Sequence, residues 1–274
     1  MPTTVGGATE NACGSGPPKS GSIAELGHTS AMADLVSYGS HAEQYGELRS
    51  PVGSEHRPLV VLIHGGFWRD QYRLDLMHPM ASALFDRGYA TWNIEYRRVG
   101  PTGGGFPTTL DDVAAAIDQF ANIHWSTTAV IGHSAGGHLA LWNASRTSAA
   151  ARPGLTIALA PVADVIAANR NGVGVDATTN FFGGDVDDVP EHYAAGQPKG
   201  DDFGGRIVVL HGDEDSNVPL AQSRAVEEHT DRLEVLAGVD HFDVINPKHD
   251  CWQIVFDELD WLTGQEPARE ASRD

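Results

Sequence analysis

One pentapeptide constrains this chain more than any other stretch. Gly132-His133-Ser134-Ala135-Gly136 follows the apolar run Ala129-Val130-Ile131 and opens a helix-competent run that continues to Ser145. A serine hydroxyl is a weak nucleophile unless it is held exposed against a base, and a sharp strand-to-helix turn holds it that way. The glycines relieve crowding where the chain reverses, and the helix N-terminus sets backbone N–H groups beside the serine. The bare pattern also occurs in structural turns, so its meaning rests on what the remaining residues supply.

They supply a regular alternation. Leu59–Ile63 is a continuous apolar run ending in His64-Gly65-Gly66, as in a strand buried on both faces. Leu74, Met77, Ala81 and Leu84 then recur at helical spacing up to Gly88, and Ala90, Trp92, Ile94 and Tyr96 alternate as in a strand. Leu110, Val113, Ala114, Ile117 and Ala121 mark a helix with Thr109 as its N-cap. Strands are expected at 155–160, 207–210 and 233–236, a helix over about 220–230, and a closing helix carrying Trp252, Val255, Phe256, Leu259 and Leu262. Residues 31–51 read as an edge hairpin. The alternation predicts a mostly parallel central sheet with helices on both faces and ligands at the carboxyl ends of the strands. Residues 165–203 break the rhythm and are expected to form a small insertion over the active site. Residues 1–30 and 264–274 read as tails, which leaves 31–263 as a single α/β domain.

Composition narrows the function. A net charge of −19 argues against nucleic acid and anionic membranes as partners, because phosphate binding needs basic patches. No apolar run reaches the roughly 18 residues of a membrane span, and the N-terminus lacks the basic-then-apolar pattern of a signal peptide. Cys13 and Cys251 form no metal or redox spacing and suit a reducing cytoplasm. The Gly/Pro loop at 100–107 lacks the Gly-Lys-Ser/Thr of a phosphate loop. Thirteen histidines invite a metal, yet there is no His-Glu-x-x-His, and His133 and His138, five apart, do not share a helix face. Neither metal nor cofactor is expected. The partner is a small-molecule substrate, and the oligomeric state stays open, a homodimer included.

Ser134 needs a base and an orienter for that base. Asp213 and Asp215 follow the strand at 207–210, and His241 follows the last strand. The order Ser134, Asp215, His241 is that of the α/β-hydrolase fold, with His241 taking the serine proton and Asp215 fixing the imidazole tautomer. Asp215 is preferred because the loop turns back at Val218-Pro219; Asp213 reads as a turn residue, and Asp164 is the remaining alternative. The N–H groups of Gly66, Phe67 and Ala135 are expected to form the oxyanion hole. Trp68 and Phe242 read as walls of the substrate pocket together with Phe181; Phe181 and Phe182 fit a wall or the core equally. Arg97 or Arg98 is expected to pair with Asp111 or Asp112.

His-Gly-Gly-Phe-Trp at 64–68, Gly-His-Ser-Ala-Gly-Gly-His-Leu at 132–139 and Asp-His-Phe-Asp-Val-Ile at 240–245 together resemble the kynurenine formamidase (arylformamidase) branch of the α/β-hydrolases. Glu95-Tyr96-Arg97 with Phe106-Pro107 and Asp111-Asp112 is similar to a segment of the hormone-sensitive-lipase-like esterases. The resemblance runs from Ala42 to Leu262 and departs at 165–203. It implies an acyl-enzyme hydrolase acting on a small aryl formamide, with a small-molecule carboxylic ester as the alternative. A ligand-binding protein of the same fold without catalysis is the reading from another class.

Overall fold

The computed structural model describes residues 33–120, 125, 127–146 and 152–264. Cys13, Ala121, the expected tail at 1–30 and all but Gly264 of the expected tail at 264–274 lie outside them.

Eight strands form one sheet in the order β1-β2-β4-β3-β5-β6-β7-β8. They are β1 (Asp34–Ser37), β2 (Tyr45–Arg49), β3 (Leu59–Ile63), β4 (Ala90–Ile94), β5 (Thr128–His133), β6 (Leu155–Leu159), β7 (Arg206–Gly212) and β8 (Arg232–Leu236). The expected edge hairpin is β1 and β2, antiparallel to each other and to β4; every other pairing is parallel. The unbroken apolar run of β3 has a direct cause. Val61 and Ile63 face one layer with α2 (Thr108–Asp118) and α3 (Ala135–Ala144), while Val60 and Leu62 face α1 (His78–Asp86) and α8 (Trp252–Leu262). Each of these fully buried side chains contributes about 1.5–3 kcal/mol. Burial on both faces also catches the polar positions of β4, and the Asn93 amide, fully buried, donates to the Leu74 carbonyl at 2.9 Å.

Residues 165–203 are more regular than their composition implies. They hold α4 (Val165–Arg170), α5 (Ala177–Phe182) and α6 (Pro190–Gly196). Six- and seven-residue helices are too short to print a helical period, and their punctuation is the only signal. The Asp164 carboxylate caps α4 through the Ala167 N–H, Gly183 closes α5 at φ 79°, and Pro190 starts α6. Thr109 is not the cap of α2, which begins after Pro107; its hydroxyl instead accepts from the Gly105 N–H and donates to the Arg97 carbonyl. The helix expected over 220–230 is α7 (Ala221–Arg224) and a separate turn at Glu227–His229, the chain leaving helical geometry at Val226, which packs with Ile207 and Val209. No helix among the described residues is long and apolar enough to cross a membrane.

Candidate active site

Ser134 stands between β5 and α3 with φ 56° and ψ −118°, a strained backbone for a residue with a Cβ. The strain is held from both sides: its N–H donates to the Leu159 carbonyl, and its carbonyl accepts from the His138 and Val162 N–H groups. The turn also requires close backbone approach. A Cβ on Gly132 would strike the Gly136 carbonyl, and one on Gly136 would strike the Ile63 carbonyl.

The acid and the histidine arrive from β7 and β8. Asp215 Oδ2 lies 2.6 Å from His241 Nδ1, while Oδ1 accepts from the Asn217 and Val218 N–H groups at 2.8 Å each. The turn at Val218-Pro219 thus grips one carboxylate oxygen and leaves the other for the imidazole. Burial pushes the Asp215 carboxyl up, but hydrogen bonds from His211, His241 and the Val218 N–H outweigh it and hold the group below the ordinary carboxylate range. His211, fully buried, places Nε2 toward the Val218 carbonyl at 2.9 Å and Asp215 Oδ2 at 3.3 Å, with Nδ1 at 2.6 Å from the Ser223 hydroxyl. Two acceptors on Nε2 put the ring proton there, so Nδ1 accepts from Ser223. Asp213 behaves as a turn residue, accepting the Gly238 N–H, and Asp164 is occupied as the cap of α4.

His133 ties the two halves together. Its Nε2–H donates to the His241 carbonyl at 2.9 Å, fixing the histidine loop to the serine turn. Burial and the nearby His241 lower its pKa to about 3, so the ring stays neutral.

Above Ser134 runs the Gly66-Phe67-Trp68 loop, with successive φ values of 106°, 52° and 58°. Among the described residues, the N–H groups of Gly66, Phe67 and Ala135 meet no acceptor, which leaves three donors unspent near the serine. Trp68 and Phe181 depart from the expected pocket walls. Trp68 is fully buried, stacked on Phe181 at 4.6 Å and edge-on to His138 at 5.3 Å, so its large apolar surface anchors the loop from below. Phe182 joins the same core. Behind the loop His64 lies between the Gly65 carbonyl and Glu95, with Tyr96 stacked on it at 4.3 Å. Burial pushes its ring pKa down while the Gly65 carbonyl pulls it up. Arg97 pairs with Asp112 through two contacts, as expected of one of the two arginines; Arg98 is buried against Glu43 and Glu95.

A cavity of about 280 Å³ opens over the serine, lined by Gly66, Phe67, Tyr72, Leu76, His133, Ser134, Asn217, His241 and Phe242. Ser134 and His241 therefore share one chamber, and the expected wall Phe242 is present. No described residue of 165–203 lines it; that segment instead braces the loop, with Arg69 donating to the Gly174 and Val175 carbonyls and Phe67 packed against Gly174. Tyr72, Leu76, Asn217 and the pocket side of His133 escaped the sequence reading. Asn217 was within reach of it, being two residues from Asp215; Tyr72 and Leu76 carry no motif. No cluster of His, Cys, Asp and Glu among the described residues is placed to hold a metal ion.

The BD-FAE family profile matches residues 48–230. The chain belongs to the BD-FAE family. This places it in the α/β-hydrolase superfamily as an esterase-like hydrolase. The solved structures it resembles share the fold at low identity. Esterase B of Lactobacillus Rhamnosis (HN001) superposes with a TM-score of 0.69 at 19% identity over 85% of this chain and 86% of that one. A thermophilic esterase of Thermogutta terrifontis gives 0.67 at 17% over 88% and 95%. A bifunctional GH43-CE protein of Bacteroides eggerthii gives 0.69 at 20% over 84% of this chain but 37% of its own length. No curated protein matches.

Proposed function

We propose that this BD-FAE member is a serine carboxylesterase for small uncharged esters. One observation carries the reading: the strained Ser134 and His241, the latter held by Asp215 at 2.6 Å, line a single chamber of about 280 Å³. His241 takes the Ser134 proton as Oγ attacks the ester carbonyl, and the N–H groups of Gly66, Phe67 and Ala135 receive the charge on the carbonyl oxygen. The imidazolium returns its proton to the leaving alcohol, leaving an acyl-Ser134. Water, deprotonated by His241, then attacks the acyl carbon, and the imidazolium gives the proton to Ser134 Oγ as the acid leaves. Each oxyanion donor supplies about 3 kcal/mol in the transition state. That two structural neighbours are esterases supports an ester over an amide.

A second reading, an aryl formamide substrate, is favoured by the aromatic walls Phe67, Tyr72 and Phe242. The test is kcat/KM for p-nitrophenyl butyrate beside N-formylkynurenine, with wild type and Ser134→Ala. Ester turnover well above formamide turnover, lost in the variant, supports the proposal. Dominant formamide turnover replaces it with the second reading, and an active Ser134→Ala overturns both.

A further inference from the structure

Next to the serine chamber the surface carries a second hollow of about 230 Å³, lined by Leu76, Pro79, Phe242, Ile245, Asn246 and Pro247. Leu76 and Phe242 line both, so the hollows share a wall. Five of the six lining residues are apolar and none is charged, on a chain whose net charge is −19. Phe242 is 55% exposed on that shared wall, a large apolar side chain left in water between two concave surfaces.

Reaction geometry decides which part of a substrate meets this groove. Asp215 occupies Nδ1 of His241, so Nε2 is the nitrogen that protonates the leaving oxygen. That oxygen must come within hydrogen-bond reach of Nε2. The arm it carries therefore starts at His241, and the next residue, Phe242, leads out of the chamber into the groove. The carbonyl oxygen goes to the N–H groups of Gly66, Phe67 and Ala135, none of which lines the groove. We infer that the groove is an alcohol-side subsite that takes an uncharged alkyl or aryl leaving group. The inference rests on the esterase reading of Ser134 and His241 and adds the chemical class of the alcohol.

The experiment is a series of butyrate esters of straight-chain alcohols from methanol to octanol. It uses wild type, Pro79→Trp and Asn246→Trp, which fill the groove from two exposed walls. Every ester gives the same butyryl-enzyme, so effects of the alcohol arm appear in kcat/KM, which reports acylation. In wild type, kcat/KM rises about fourfold for each methylene that enters the groove. The octyl-to-methyl ratio falls at least tenfold in both variants, with folding checked by circular dichroism. A flat series in wild type, or an unchanged ratio in either folded variant, overturns the inference. A rise found instead with methyl esters of lengthening acids, and cut by the same variants, overturns it by placing the acyl chain in the groove. If wild type hydrolyses none of the esters, the esterase reading itself fails, which is a different result from a flat series.

Discussion

Two of the buried histidine–carboxylate pairs near the carboxyl ends of the strands differ in a way that separates the pair proposed to move a proton from one that braces the scaffold. His241 gives Nδ1 to Asp215 at 2.6 Å and lines the chamber that contains Ser134. His64 gives Nε2 to Glu95 at 2.9 Å, but its Nδ1 is already at the Gly65 carbonyl, and both side chains are fully enclosed. The carboxylates differ in the same way. Asp215 spends one oxygen on backbone N–H groups and turns the other to two rings, His241 at 2.6 Å and His211 at 3.3 Å. Glu95 is shared among His64, Arg98, Arg73 and the Leu74 N–H. A ring with one nitrogen toward a chamber can move a proton. One with both nitrogens occupied can only hold a loop in place.

The largest effect should come from the open pair and its serine. Ser134→Ala and His241→Ala are each expected to lower kcat by 10⁴-fold or more with an unchanged Tm, because the group acts as a unit. His64→Ala of retained stability with an equal loss of kcat would break the comparison. Asp215→Asn comes next, at about 10⁴-fold in kcat. The amide can still accept the two backbone N–H groups, but its NH₂ faces Nδ1 and stabilises the wrong tautomer. Asp213→Asn, which alters only a turn acceptor for Gly238, should stay within a few-fold; the reverse ranking of the two variants would reassign the acid.

For the closed pair the readout moves from rate to stability. Glu95→Gln leaves Arg98, 1% exposed, with Glu43 as its remaining carboxylate, and should cost about 3–5 kcal/mol in urea unfolding. Activity per folded molecule should fall less than tenfold. A variant of native stability that loses activity on the scale of Asp215→Asn would make Glu95 part of the chemistry.

This contrast also explains what was legible in the sequence. The strands, the serine turn and the Asp215–His241 pair each leave a local trace: a period, a glycine spacing, a Val-Pro turn. The role of a histidine leaves none. His64, His133, His138, His211 and His241 all lie in or follow core strands or open the α3 helix, and only the three-dimensional surroundings of each ring, its partners together with its burial, sort them. Trp68 and Phe181 were misplaced for a related reason. Adjacency to Gly66-Phe67 puts Trp68 near the site, but positive φ at three successive residues turns its ring into the core. The helices of 165–203 were invisible because each is shorter than two turns.

The smallest expected effect concerns a third kind of histidine, kept neutral by burial. Burial lowers His138 to about 4, opposed by the hydrogen bond its Nε2 makes to the Gly196 carbonyl; His133 is lowered to about 3. Above the unfolded-state value of about 6.5 such a ring is neutral in both states and pH has no leverage. As pH falls below that value the unfolded chain takes up a proton that the folded ring refuses. Stability then drops by up to about 1.4 kcal/mol per pH unit for each ring. The decline ends where the folded ring itself protonates, at about 4 for His138. Asp215 acts in a separate window: its depressed folded value stabilises the protein above the unfolded carboxylate range and is lost only below about pH 3.9. His138→Gln keeps an N–H donor for the Gly196 carbonyl and removes the titration. Urea unfolding at pH 7.0, 6.0 and 5.0 should therefore show the variant's stability falling less steeply than the wild type's, by about one proton's slope. Parallel slopes would mean that the His138 ring takes up its proton in the folded protein at the same pH as in the unfolded chain, and that enclosure does not by itself separate the scaffold histidines from the one proposed to move a proton.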